Sequence, residues 1–374
     1  MYFLRIPAKI FKIGKPHHYQ MKLNLKRWYP PFKDRSVVFL NILKQGQVTK
    51  AKNYALATYS MIRRPDVVKN YPILLVVEPG NVCNLSCALC TTGQRDPTRN
   101  KMMLEFKNFK KLMDQVGKYA IHLDLYNWGE PFINLHIFKM IKYAKKFKIK
   151  VEISSNLNFY NEKIGRQVIK SGLDTLICSI HGGSQKTYEK YMVGGNFEKA
   201  VTNLKNLIEL KKKMGSQTPK LRWRFVVFRH NEHEVEKTRK FAQSLDVEFE
   251  DLPMKMSLGS DVPTVKREIW EKRDWIPKNP KYNIYDVEKR ERKDKDLDCF
   301  WPWEMISIGA HGAVQPCCVF YAQKFDFGNV FQEPFKSVWN NRYYQISRKI
   351  LREKIRNNME TVCGPCLASG FLPM

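Results

Sequence analysis

From Ile73 to Asp251 the chain alternates short apolar runs with longer amphipathic stretches. The runs Ile73–Val77, Ile121–Tyr126, Lys148–Ile153, Thr175–Ile180, Leu221–Phe228 and Val247–Asp251 have strand length and strand-forming residues. Between them Phe106, Phe109, Leu112, Met113 and Val116 recur at helical spacing, as do Phe197, Val201, Leu204, Leu207 and Ile208. Strand and helix in alternation predict parallel βα units, with right-handed crossovers placing the helices outside. The expected fold is α/β: a partial (β/α)6 TIM-like barrel, open where an eight-stranded barrel closes. Functional groups then collect at the C-terminal ends of the strands.

The flanks read differently. Residues 1–70 mix basic and apolar side chains (Phe11, Ile13, Trp28, Tyr29, Val37, Val38, Phe39, Ile42, Leu43), and Pro30-Pro31 breaks the segment. A helical pattern runs from Leu40 to Ile62 through Ala55, Leu56 and Tyr59. Two readings apply: a mostly helical extension packed on the main domain, which is favoured, or a basic arm for an anionic membrane surface or partner. The barrel is expected over 71–252. Residues 253–298 read as a linker or lid, punctuated by Pro253, Pro263, Pro277 and Pro280, with Trp270 and Trp275 covering the barrel mouth or anchoring the linker. A separate unit follows over 299–374.

Composition narrows the classes. Of 374 residues 43% are hydrophobic, enough for a large core and against disorder. No apolar run approaches a membrane span, and Met1 to Pro7 lacks a signal-peptide core, so a cytoplasmic location is expected. In that compartment the nine cysteines read as metal ligands rather than disulfides. The net charge of +29 attracts anionic partners in general, or reflects a solvated lysine-rich surface. It is spread too widely to point to a specific nucleic acid. The local excess lies in residues 1–70, where Asp34 and Asp66 are the only acidic residues.

Cys83, Cys87 and Cys90 follow the first predicted strand at C-x3-C-x2-C spacing. Three thiolates fall one short of the four that a closed zinc or cubane site takes, so a cubane held here keeps one iron open. The plainer readings are a three-cysteine zinc site or cysteines packed as small hydrophobes. Further motifs sit in register at the next strand ends: Asn127-Trp128-Gly129-Glu130-Pro131, then Ser154-Ser155-Asn156, then Ser179-Ile180-His181-Gly182-Gly183.

Together these motifs resemble those of the radical S-adenosylmethionine (radical SAM) superfamily. The resemblance implies that Cys83, Cys87 and Cys90 hold a catalytic [4Fe-4S] cluster whose open iron chelates S-adenosylmethionine. It implies reductive cleavage to a 5′-deoxyadenosyl radical that abstracts hydrogen from a substrate. Gly129, Glu130 and Pro131 then lie at the cofactor's amino group, and Ser154, Asn156 and Ser179 at its ribose and carboxylate. Leu89 takes the apolar position near the adenine. Two residues depart from the family pattern: His181 stands where relatives have Asp, and Met192 where many have Arg. Cys178 reads as a core cysteine.

Past the barrel come Cys299, Cys317-Cys318 and Cys363-Gly364-Pro365-Cys366, around a predicted hairpin and a basic helix from Tyr344 to Lys354. This arrangement resembles the SPASM/twitch extension of the same superfamily, a β-hairpin and helix holding an auxiliary cluster. Adjacent thiols do not easily face one cubane, so Cys299, Cys317, Cys363 and Cys366 form the expected set for one auxiliary [4Fe-4S] cluster, with Cys318 the alternative to Cys317. A four-cysteine zinc site is the competing reading.

The resemblance implies a radical SAM oxidoreductase with the auxiliary cluster as electron acceptor. Its substrate is a small molecule, a glycan-type compound or a peptide, and a flavodoxin- or ferredoxin-type donor supplies electrons. The alternatives are a membrane- or RNA-associated modifier docking through its basic arm, and a zinc-binding scaffold without catalysis.

Overall fold

The computed structural model describes residues 32–254, 273–286, 288–289, 291–293, 298–315 and 317–369. Residues 1–31 of the basic arm, Trp270 and Pro263 lie outside the described residues.

Six parallel strands run in sequence order: β1 (Leu74–Val77), β2 (His122–Asp124), β3 (Lys150–Ser155), β4 (Thr175–Ser179), β5 (Lys220–Val227) and β6 (Glu248–Pro253). Each falls within a few residues of an apolar run in the sequence. Strand period sorts their side chains into two faces. Leu123, Val151, Ile153, Leu176, Cys178, Trp223 and Phe225 are fully buried, and the helices cover this face; Trp223 meets Phe241 of helix Val235–Ser244 edge-on at 6.0 Å. The alternate positions carry Asp124, Glu152, Ser154, Ser179, Arg222, Arg224 and Glu250. Arg222 Nη1 lies 3.4 Å from Glu152 Oε2, and Arg224 Nε donates to Glu250 Oε2 at 2.7 Å. Closed barrels fill this interior with branched apolar side chains. Here it is a polar channel held by ion pairs.

The sheet does not stop at β1. Two late strands, β9 (Met305–Ile308) and β10 (Val314–Gln315), extend it on the open side, in the order β10-β9-β1-β2-β3-β4-β5-β6. (A separate small ribbon pairs β7, Tyr285–Asp286, with β8, Glu291–Arg292.) β9 is parallel to β1, with Val76 opposite Ser307, and β10 is antiparallel to β9. The hairpin expected of a separate C-terminal unit therefore continues the barrel sheet. Its turn is set by Gly312 at φ +86°, a conformation glycine adopts without steric cost.

At the other end of the strands two helices form a floor. The pattern from Leu40 to Ile62 suggests one helix, but the chain makes two, α1 (Phe32–Lys44) and α2 (Val48–Arg63), turning at Gly46 with φ +70°. Lys50 Nζ donates to the carbonyls of Phe147 (2.7 Å) and Lys148 (3.2 Å). Asn53 Nδ2 donates to those of Tyr71 (3.0 Å) and Tyr119 (3.2 Å). These carbonyls immediately precede β3, β1 and β2, so α2 caps the N-terminal ends of the strands. A buried pair, Arg35 Nη2 to Glu304 Oε1 at 2.6 Å, ties α1 to the turn entering β9. The buried Arg348 of helix Arg342–Glu353 donates to the carbonyls of Pro302, Asp66 and Trp339 at 2.8–2.9 Å, joining the N- and C-terminal segments.

Candidate active site

β1 delivers the chain into the cysteine loop at the C-terminal end of the sheet. The loop is pinned by backbone bonds, Ser86 N to Val193 O and Ala88 N to Tyr191 O, both 2.9 Å. Gly93 packs so closely that a Cβ there would stand 2.5 Å from Cys87 N. Cys83, Cys87 and Cys90 line one cavity of about 190 Å³. Burial pushes the Cys83 thiol up to about 11, with Glu130 and Cys90 adding to the rise. It raises Cys87 well above the ordinary range and Cys90 as well; Cys90 and Cys83 also act on Cys87. Three crowded, half-buried thiols are costly as bare thiolates, and a cationic metal centre relieves that cost. The donor set fits a cluster that Cys83, Cys87 and Cys90 would hold.

The neighbouring strand ends complete the cavity. Gly129 sits at φ +91°, where a Cβ would come 2.3 Å from Gly80 O and 2.8 Å from Val82 O, so a side chain is excluded. Glu130 is buried, and both its oxygens are engaged: Oε1 accepts from Phe132 N at 3.2 Å and Oε2 from Asn156 N at 2.9 Å. Burial raises its carboxyl to about 7 against these bonds. This carboxyl group braces two strand-end loops. Pro131 opens the short 3-10 turn Pro131–Ile133 and is itself buried. Ser154 Oγ and Ser179 Oγ lie 2.8 Å apart on the cavity wall. Asn156 Nδ2 donates to Asn84 Oδ1 at 3.0 Å and stands 3.8 Å from Cys83 Sγ.

The cavity lining adds residues that the motifs did not single out. Leu85, not Leu89, is the leucine of the loop that lines the cavity; Leu89 packs half-buried against the core. His181, which stands where relatives have Asp, is buried. It lines the cavity, its Nδ1 accepts from Val226 N at 3.1 Å, and burial with nearby Arg224 lowers it to about 3. A ring accepting at Nδ1 is neutral and carries its proton on Nε2. Tyr191 and Met192 close the apolar side, and Trp275 anchors the linker edge-on to Tyr191 (6.3 Å) and Phe228 (5.5 Å). The apolar lining is invisible to motif reading because any buried aromatic satisfies the same sequence pattern.

A second group lies beside β9 and β10. Cys299, Cys317, Cys363 and Cys366 are all buried, whereas Cys318 is half-exposed. Burial lifts Cys299 to about 12, with Cys363 adding to it, and lifts Cys366 well above its ordinary range beside Cys363 and Cys299. Cys317 is raised by burial, then by Cys318, Cys366 and Cys299. Cys363 and Cys366 share a face of helix Cys363–Ser369, and the mutual charge effects place Cys299 and Cys317 in their neighbourhood. A Cβ at Gly364 would meet Asn358 O at 1.9 Å. The neighbouring Cys318 reaches the first site instead: with its amide oriented to satisfy both ends, Asn127 donates to Cys318 O and accepts from Trp128 Nε1, each at 3.0 Å. Asn127 also lines the cysteine cavity.

An open parallel barrel with three cysteines after β1, and four more beside a hairpin on the same sheet, defines a class of iron–sulfur proteins. The radical SAM superfamily model matches residues 77–242 and an iron–sulfur cluster-binding domain, SPASM, matches 299–367. The chain belongs to the radical SAM superfamily and carries a SPASM domain. The radical SAM domain implies a [4Fe-4S] cluster and S-adenosylmethionine as cofactors, and the SPASM domain implies auxiliary iron–sulfur clusters.

Among curated proteins it is similar to the mycofactocin maturase MftC of Mycobacterium ulcerans, 25% identical over 138 residues, 36% of this chain and 36% of the relative. It is also similar to the Fe-coproporphyrin III synthase of Methanosarcina barkeri, 24% identical over 180 residues, 46% of this chain and 41% of the relative. The chain thus matches between a third and a half of the length of these relatives. Streptococcus suis SuiB bound to S-adenosylmethionine shares the fold: TM-score 0.58, 16% identity, 86% of this chain and 76% of that one. No helix among the described residues is long and apolar enough to cross a membrane.

Proposed function

We propose that the chain is an oxidoreductase that removes a hydrogen atom from a polar organic substrate and passes the remaining electron to the C-terminal cysteine centre. Together, the cluster and S-adenosylmethionine supply reductive cleavage of a sulfonium to a carbon radical able to take that hydrogen. The observation that carries the reading is the neighbourhood of Cys299, Cys317, Cys363 and Cys366, all buried. Four protein ligands complete a cubane and leave no iron open to a substrate, which suits electron transfer.

The chain's own residues divide the remaining work. Cys83, Cys87 and Cys90 would hold the catalytic cluster. The Gly129 backbone gives the cofactor a close approach, Ser154, Ser179 and Asn156 offer hydroxyl and amide groups, and His181 presents a neutral Nε2–H. Leu85, Tyr191 and Met192 exclude water. Tyr126, Arg224 and Glu250 sit on the inward face that continues below this cavity, which suits a substrate rich in hydroxyl, amino or carboxyl groups. A small or glycan-type substrate fits this lining. Peptide modification is the second reading, supported by the similarity to the maturases and by a SuiB structure bound to precursor peptide SuiA. A flavodoxin- or ferredoxin-type protein would supply the reducing electron.

The test is anaerobic turnover with a chemical reductant, following 5′-deoxyadenosine and substrate oxidation in pools of glycans and peptides. Wild type should release 5′-deoxyadenosine and C83A none. A folded C363A/C366A variant should still cleave S-adenosylmethionine but leave substrate unoxidised. Wild-type oxidation by that variant would remove the electron-acceptor role.

A further inference from the structure

Under the barrel, at the opposite end from the cysteines, a cavity of about 340 Å³ lies between α1 and α2 and the N-terminal ends of β1–β3. It is larger than the 190 Å³ cavity at the catalytic end. Arg35, Lys50, Lys148 and Lys150 all line it, against a single lining carboxylate, Glu304. That carboxylate is committed to Arg35 at 2.6 Å. Of the nearby acids, Asp124 faces His122 at 3.2 Å, Glu152 faces Arg222 at 3.4 Å and Asp174 holds Lys145 at 2.5 Å. α2 contributes no acidic residue.

Among the described residues, three ammonium groups of this lining have no counter-charge. Lys50 is 4% exposed, and the partners that Nζ meets are the carbonyls of Phe147 and Lys148. Burial and the charges of Lys148 and Lys145 together pull it down to about 8. Lys148 and Lys150 make no ion pair among the described residues. Lys148 also holds φ at +55°, at a helix end where glycine is usual. Like charges gathered round a cavity repel unless an anion enters it, and a bound oxyanion converts that repulsion into charge-assisted hydrogen bonds.

We propose that this barrel-floor cavity is a second binding site, taking the phosphate group of a ligand, with Lys50, Lys148 and Lys150 as its cationic contacts. The site is independent of the chemistry at the cysteine end. The same phosphate chemistry arrives from two sources, a soluble phosphorylated molecule or a phospholipid headgroup. The second is physically supported because Val37 and Leu40, more than half exposed on α1, lie on the helix that walls the cavity.

The test uses the full reconstituted chain with two probes: inorganic pyrophosphate, read by calorimetry and thermal unfolding, and sedimentation with vesicles of equal parts phosphatidylglycerol and phosphatidylcholine. Variants K148S/K150S and K336S/K349S lose the same charge from exposed positions, inside and outside the site. Pyrophosphate should bind wild type and K336S/K349S alike and K148S/K150S about tenfold more weakly or worse, with unchanged melting temperature in its absence. Vesicle binding lost in both K148S/K150S and V37S/L40S, with pyrophosphate binding kept in V37S/L40S, identifies a headgroup site. Pyrophosphate binding without vesicle binding identifies a soluble ligand. No pyrophosphate binding by wild type, or equal weakening by both lysine pairs, overturns the proposal.

Discussion

The Asn156 backbone N–H donates to Glu130 Oε2 at 2.9 Å, joining the loop after β2 to the end of β3. With Phe132 N on its other oxygen, the carboxylate has a backbone donor for each acceptor. Glu130→Gln sets an amide NH2 against one of those donors and leaves it buried and unsatisfied. A cost of about 1–3 kcal/mol is expected, measured by urea unfolding at pH 6, where the wild-type carboxyl is largely protonated.

Glu78 predicts a pH dependence of known sign. Burial raises it to about 7, and its Oε1 has one weak partner, Ala310 N at 3.3 Å. A carboxyl whose folded value lies above its unfolded value binds its proton more tightly when folded. Its contribution to stability is therefore full below about 4.5 and is lost as pH rises through about 7. Glu78→Gln should be more stable than wild type at pH 8, by up to about 3 kcal/mol, and the gain should shrink towards zero as pH falls to about 4.5. Urea midpoints across that range check it, and a gain independent of pH sinks it.

Buried His181 and half-buried His230 act in the opposite direction. His181 is held at about 3 by burial and then Arg224, and His230 at about 4 by burial and then Lys190. Below about 6.5 the unfolded chain takes up protons that these rings refuse, so their contribution is lost as pH falls from there. The ring resonances of both should show no titration between about pH 5 and 8. A midpoint inside that window would mean that His181 exchanges protons in the working range.

Iron and sulfide counts separate the two cysteine groups. After anaerobic reconstitution wild type should hold about eight irons, falling to about four in C83A/C87A/C90A. About four in wild type, with zinc present, would make the C-terminal group structural and end its redox role.

Arg35 and Glu304 bind the floor to the sheet. Arg35→Met strands a buried carboxylate and should cost about 3–5 kcal/mol, whereas R35M/E304M should recover most of it. The coupling is read from a double-mutant cycle, with proteolysis near Gly46 reporting release of α1.

The six strands were legible because short apolar, strand-forming runs recur between amphipathic stretches, and the strand-end motifs because chemistry restricts them to few residue types. What escaped the sequence depends on distant pairing. β9 lies more than 220 residues from β1, and nothing local in Met305–Ile308 names the partner of that strand. Leu85 and Leu89 are chemically equal, and only the pinning of the loop by Tyr191 and Val193 decides which one lines the cavity. The floor cavity is assembled from α1, α2 and three strand ends. Each of its lysines alone reads as an ordinary solvated residue.

The pairing of β9 with β1 also governs how this protein can be divided. The strand that carries the three-cysteine loop is flanked on one side by β2 and on the other by a strand of the SPASM segment. A fragment ending after β6 would keep every residue of the first site, yet expose the open backbone edge of β1 directly beneath it. Such an edge recruits other chains into the sheet. The two cysteine centres are therefore not interchangeable modules: graft, truncation or domain exchange must move both, cut upstream of α2, or supply another strand to shield β1.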